Sequence, residues 1–158
     1  MRLLTHFKLC GLPELFMVKL KIRKILVPLD GSKSSLRGLD HAIYLARQCN
    51  AIITGVHVIS IYPTNLADLV NPIKARLFKY AEELMDRSEI TCAQKGIVFR
   101  KRILYGDPKS EISDFIKQNR FDLVVIGARG LGPVKEVVLG SVSNAVLHRS
   151  KIPVLVAK

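Results

Sequence analysis

The stretch "RKILVPLDGSKSSLRGLDHAIYLARQC", Arg23 to Cys49, decides the fold class because its hydrophobic period changes once, in the middle. "RKILVPL" (Arg23–Leu29) is a short apolar run closed by Pro28, Asp30 and Gly31, the pattern of a buried strand that ends in a turn. The serines that follow are suited to N-capping. Leu36, Leu39, Ile43 and Ala46 then recur at helical spacing, so a strand leads directly into a helix.

The same alternation continues downstream. "AIITGVHVI" (Ala51–Ile59) reads as a second strand, and after a loop around Pro63 a helical pattern runs from Pro72 to Lys95. "IVFRKRILY" (Ile97–Tyr105) is a third strand. Its Arg100, Lys101 and Arg102 suit a sheet edge, where charge blocks pairing with another chain. In "GDPKSEISDFIKQN" Asp107 is the expected N-cap and Pro108 the first helical residue, with Ile112, Phe115 and Ile116 on one face. "DLVVIG" (Asp122–Gly127) is an apolar strand, "SVSNAVLHRS" a short helix with Ser141 as a natural N-cap, and "IPVLVA" (Ile152–Ala157) a last strand. The order predicts an α/β fold, an open parallel sheet with helices on both faces. Ligands of such sheets bind at the carboxyl ends of the strands, where strand order reverses. If the first and fourth strands flank that reversal, Asp30 and Gly127 face one crevice.

At 158 residues, with 49% hydrophobic and 24% charged, the composition is that of one ordinary globular domain rather than a disordered chain. The formal charge of +12 raises the question of a polyanionic partner. Lys and Arg are spread through nearly every segment, however, without a long tract or interleaved aromatics, so a solvated basic surface is expected and nucleic acid is not. Cys10, Cys49 and Cys92 are odd in number and form no ligand spacing, which predicts free thiols in a reducing compartment. His6, His41, His57 and His148 form no metal spacing either. No run approaches the roughly 18 apolar residues of a membrane span, and the first sixteen residues lack the continuous apolar region of a signal peptide. The expected location is therefore cytoplasmic, with no membrane partner. Residues 1–20 are expected to be an extension before a single domain of residues 21–158; a mis-assigned start upstream of Met17 and a functional arm explain them equally well.

A second stretch, "VVIGARGLGPVKEVVLGSVSNAV" (Val124–Val146), places Gly127, Gly130, Gly132 and Gly140 between two apolar runs. GxxxxGK[ST] is absent, and "GLGPVK" breaks GxGxxG at its third glycine. The spacing present is G-x2-G-x9-G-S, with "ILVPLDGS" at the first strand, "GVHVI" at the second and "HRSKIPVLV" near the end. In these features the chain resembles the universal stress protein family over nearly everything from Lys21 to Lys158.

The resemblance implies a nucleotide α-hydrolase-like, Rossmann-type sheet of five parallel strands in the order 3-2-1-4-5. It also implies ATP as ligand, with Mg2+ or Mn2+ bound through the phosphates, and a homodimer formed through the last strand, residues 152–157. By resemblance, Pro28, Leu29 and Asp30 contact adenine and ribose, with Asp30 accepting from the ribose hydroxyls. Val58, with His57, meets the adenine through main-chain bonds. Gly127, Gly130, Gly140, Ser141, Val142 and Ser143 surround ribose and phosphates.

Elementary physics points the same way. Gly140 and Ser141 stand where a helix begins, so unpaired amides and the positive end of the dipole face the crevice. Bare backbone at Gly127 and Gly130 lets phosphate oxygens come close, and Arg129 and Lys135 add charge. Each residue also has a plainer reading. Asp30 and Ser141 can serve as helix caps, His57 as a satisfied core histidine, Arg129 as a solvated loop residue and Gly132 as a turn before Pro133. Asp30 is the obvious acid at the strand ends and ribose recognition would occupy it, with no paired general base recognised to orient a water for hydrolysis. The expected function is a nucleotide-dependent regulator or sensor in stress response, with at most slow ATP hydrolysis. An adenylating enzyme of the PP-loop type is the alternative, but "DGSKSS" lacks the paired glycines of its SGGxDS loop. A nucleic-acid-binding module is the third reading and rests on charge alone.

Overall fold

The computed structural model describes residues 21–61, 72–131 and 139–158. Residues 1–20, the loop around Pro63, Gly132 and Lys135 lie outside them. The elements are β1 (Lys24–Pro28), α1 (Lys33–Cys49), β2 (Ile52–Ile59), α2 (Pro72–Gln94) and β3 (Phe99–Tyr105). Then follow α3 (Pro108–Gln118), β4 (Leu123–Gly127), α4 (Ser141–Arg149) and β5 (Val154–Ala157). All five strands are parallel, as the alternation predicts, in the order β3-β2-β1-β4-β5 that the resemblance implies. No helix among the described residues is long and apolar enough to cross a membrane.

Local chemistry sets the element ends. Ser32 caps α1, its Oγ accepting from the amide of Ser35 at 3.1 Å. The helix stops at Asn50, whose φ of 52° is the left-handed conformation that asparagine tolerates better than most side chains. Asp107 caps α3 through the amide of Ser110 and Pro108 opens the helix, both as expected.

β1 is covered on both faces. Ile25 and Val27 join Leu39, Ile53 and Met85 in one core, while Leu26 joins Val56, Ile112, Val124 and Val146 in the other. The alternation follows from the two-residue period of a strand. Leu36 departs from expectation: it is 42% exposed, and the stripe of α1 facing the sheet runs through Ser35, Gly38, Leu39, Ala42, Ile43 and Ala46. A Cβ at Gly38 would already sit 3.4 Å from the amide nitrogen of Gly127. The small residues therefore let α1 ride low on β4, and that orientation turns Leu36 outward. β3 is an edge strand, with Arg100 and Arg102 exposed and Lys101 bound to Asp86 at 2.7 Å and Glu89 at 3.1 Å. The hydrogen bonds that Lys101 donates to those two carboxylates raise its pKa above the usual lysine range.

Candidate functional site

Strand order reverses between β1 and β4, and a cavity of about 1040 Å3 opens at the carboxyl ends of the strands there. Apart from Lys135, which lies outside the described residues, every candidate residue from the sequence lines it. β1 contributes Pro28, Leu29 and Asp30, and β2 contributes His57 and Val58. The segment after β4 contributes Gly127, Arg129 and Gly130, and the start of α4 contributes Gly140, Ser141, Val142 and Ser143.

Asp30 ties the two sides together. Its Oδ1 accepts from the amide of Ser32 at 3.0 Å, and its Oδ2 accepts from the amide of Leu131 at 3.2 Å, across the reversal. Ser32 and Ser34 add to the link: Ser32 Oγ donates to the Arg129 carbonyl at 3.2 Å, and Ser34 Oγ accepts from the Arg129 amide at 3.3 Å. The carboxylate is half-buried, and two oxygens with about four lone-pair sites keep acceptor capacity for a ligand hydroxyl.

The glycines differ in what their bareness permits. At Gly127 a Cβ would lie 2.6 Å from the carbonyl carbon of Ser34 and 2.7 Å from the amide nitrogen of Ser35, so the first turn of α1 accounts for this residue. At Gly130 it would lie 2.5 Å from Asp30 Oδ2; bareness here keeps the carboxylate in place. Around Gly140 the nearest atoms are at 3.5 Å, an ordinary contact. The protein's own packing therefore leaves room for a side chain at Gly140.

Gly140, not Ser141, is the N-cap of α4, and it provides no side-chain cap. Its own amide donates to the Ala128 carbonyl at 2.8 Å. Ser143 Oγ, buried, shares its one proton between the carbonyls of Ala128 and Gly140, both at 2.9 Å. The first acceptor used inside the helix is the Gly140 carbonyl, taken by Asn144. The amides of Ser141, Val142 and Ser143 therefore have no acceptor within α4, and its first turn holds no acidic residue. No acidic residue of the first turn compensates the positive dipole at this helix end.

His57 Nδ1 lies 2.7 Å from the Leu29 carbonyl. A carbonyl only accepts, so Nδ1 carries the proton of this bond. Its ring meets that of Tyr80 edge-on at 6.0 Å. Tyr80, which the sequence reading missed, donates its hydroxyl to the Asp30 carbonyl at 3.1 Å and lies across Gly31, where φ is +82° and a Cβ would collide with that hydroxyl. Leu77, Ile112 and Leu139 also line the cavity. No motif marked them: Leu77 and Ile112 follow the same helical period as the core, and Leu139 lies just before α4. Among the described lining residues Asp30 is the one carboxylate and Arg129 the one permanent cation. The cavity thus offers an apolar wall, a hydroxyl acceptor and a helix end suited to an anion.

The family model described as "Universal stress protein family" matches residues 21–158. The universal stress protein YxiE of Bacillus subtilis is 30% identical over 145 residues, covering 85% of this chain and 98% of its own length. Among solved structures, the universal stress protein UspA from Lactobacillus plantarum superposes with a TM-score of 0.76 at 26% identity, over 87% of this chain and 99% of that one. A universal stress protein solved in complex with cAMP gives a TM-score of 0.64 at 26% identity, over 87% and 98% of the two chains.

Proposed function

The chain belongs to the universal stress protein family, and on that premise we propose that it is an ATP-binding regulator or sensor in stress response that hydrolyses ATP slowly at most. The observation that carries this reading is the pairing, in one cavity, of the Asp30 carboxylate with an acid-free helix N-terminus. Adenine lies on the apolar side near Val58 and beside the His57 main chain. The ribose hydroxyls donate to Asp30, charge-assisted bonds that are stronger than neutral ones. The phosphates meet the amides of Ser141, Val142 and Ser143, with Arg129 close by. The relative solved with cAMP supports an adenine nucleotide as the ligand class. Mg2+ or Mn2+ fits this arrangement as an ion carried on the phosphates, since the described residues form no cluster of three metal-ligating side chains.

Regulation requires that occupancy be read elsewhere. Asp30 holds both Ser32 and Leu131, so a ribose that engages it acts on α1 and the glycine segment together. The homodimer forms through β5, the uncharged outer strand of the sheet. The deciding experiment is mass spectrometry of the small molecule released when the purified protein is denatured, followed by calorimetric titration with ATP, AMP and cAMP. ATP in the released fraction and tightest binding by ATP are expected. Preference for AMP or cAMP would replace the ligand, and no heat with any of the three would end the nucleotide reading.

A further inference from the structure

We propose that the amino-terminal end of the sheet, opposite the crevice, is a docking surface for the phosphate backbone of duplex nucleic acid. In a parallel sheet with returning helices, strand starts and helix ends gather at one end. Hydrogen bonds bring these segments together here. The Ile52 amide donates to the Arg23 carbonyl at 2.8 Å and the Ile53 amide to the Val98 carbonyl at 3.0 Å. The amides of Arg23 and Lys24 donate to Asp122 Oδ2 at 2.8 and 2.9 Å. A groove of about 400 Å3 at this end has Arg47 and Lys95 on its lining, with Asn50 and Gly96 between them.

The charge at this end is one-sided. The segments 21–24, 47–52, 95–98, 119–123 and 149–153 contribute Lys21, Arg23, Lys24, Arg47 and Lys95, then Arg120, Arg149 and Lys151, all exposed. Their one carboxylate, Asp122, is taken up by the two backbone amides. None of these eight cations forms an ion pair with a described acid, whereas Lys117, in the last turn of α3 beside them, is held by Asp114. Compensation of helix dipoles explains Arg47 and Arg149 at helix ends. It does not explain the cations at strand starts and in loops. Five strands at about 4.8 Å spacing make the end roughly 20 Å wide, enough for several phosphates of a duplex that carries one charge per about 1.7 Å.

The surface also lacks what other polyanions need. Val98 is the one exposed large hydrophobic residue in these segments, so nothing there inserts into a bilayer. Their one aromatic, Phe121, is buried, so no platform for stacked single-strand bases exists.

The test measures binding of the full chain to a labelled duplex of about 20 base pairs by anisotropy, from about 50 to about 200 mM salt. Two variants accompany it: Arg47→Glu with Lys95→Glu at the proposed surface, and Lys109→Glu with Arg102→Glu, an equal charge change away from it. Circular dichroism melting checks that all three are folded. The wild type is expected to bind with a steep salt slope, which the Arg47/Lys95 variant lowers by about 2 while the other variant leaves it near the wild-type value. No binding at the lowest salt, an equal loss in both variants, or tighter retention on phosphatidylserine-containing vesicles than on duplex would overturn the proposal. ATP titration plays no part in the readout, so the nucleotide reading stands or falls separately.

Discussion

At Gly127 a methyl group would meet the carbonyl carbon of Ser34 at 2.6 Å and the carbonyl oxygen at 2.8 Å, both of them backbone atoms that cannot rotate away. Gly127→Ala is therefore expected to push α1 off β4 and to cost about 1–3 kcal/mol, read as a lower urea midpoint. Gly140→Ala meets only 3.5 Å contacts, and its effect on stability should stay under about 1 kcal/mol. Gly140→Val tests the ligand instead: if phosphates occupy the space before α4, calorimetry should find ATP binding greatly weakened while the urea midpoint changes far less than in Gly127→Ala. Equal ATP affinity in wild type and Gly140→Val would remove the phosphates from this helix end. Asp30→Ala should weaken ATP by about 1–3 kcal/mol through lost bonds to ribose. Binding of inorganic phosphate mimics should remain nearly unchanged, because that contact is made at α4. The two glycines are indistinguishable as letters in the sequence; their roles separate only when their neighbours are known.

Among the elements, the two sheet edges differ in how they treat a further strand. β3 holds Arg100 and Arg102 exposed, while β5 carries no charge from Val154 to Ala157. Its Val154, Leu155 and Val156 are only partly buried. If a second copy pairs there, Leu155→Lys should give monomer in sedimentation, and an unchanged dimer would move the interface elsewhere. The strand was readable from its apolar run. Its edge position was not, because order in a parallel sheet is set by crossovers and not by neighbouring residues; here it came from the family resemblance, and the structure bears it out. α1 shows a smaller version of the same limit. Helical spacing located the helix, but packing on Gly127 chose which of its faces is buried.

Across the whole molecule, the core between α1, α2 and the sheet sets the chemistry of one thiol. Cys92 has no exposed surface, and burial, followed by the charges of Asp40 and Glu89, pushes its pKa from 9.0 up to about 12. The folded state thus keeps this proton longer than the unfolded chain does. The resulting contribution to stability is complete below about pH 9 and is lost as pH rises from there through about 12. Urea midpoints measured across this range should fall, and the fall should be smaller in Cys92→Ala. At neutral pH, thiol labelling should be slower at Cys92 than at the half-buried Cys49.

The segments that line the crevice came with the family resemblance; what the sequence by itself determined was the alternation of strands and helices and the caps at Asp107 and around Ser32. Those features depend on hydrophobic period, backbone preference and spacing, all of which are local. Only the tertiary structure decided that Gly127 yields to α1, that Asp30 reaches across to Leu131, and that Tyr80 joins the site from α2. It alone also gathered cations scattered along the chain at one end of the sheet. The physical reason is the same in each case: a steric limit, a hydrogen bond and an electrostatic field act over a few ångströms of space, between residues far apart along the chain.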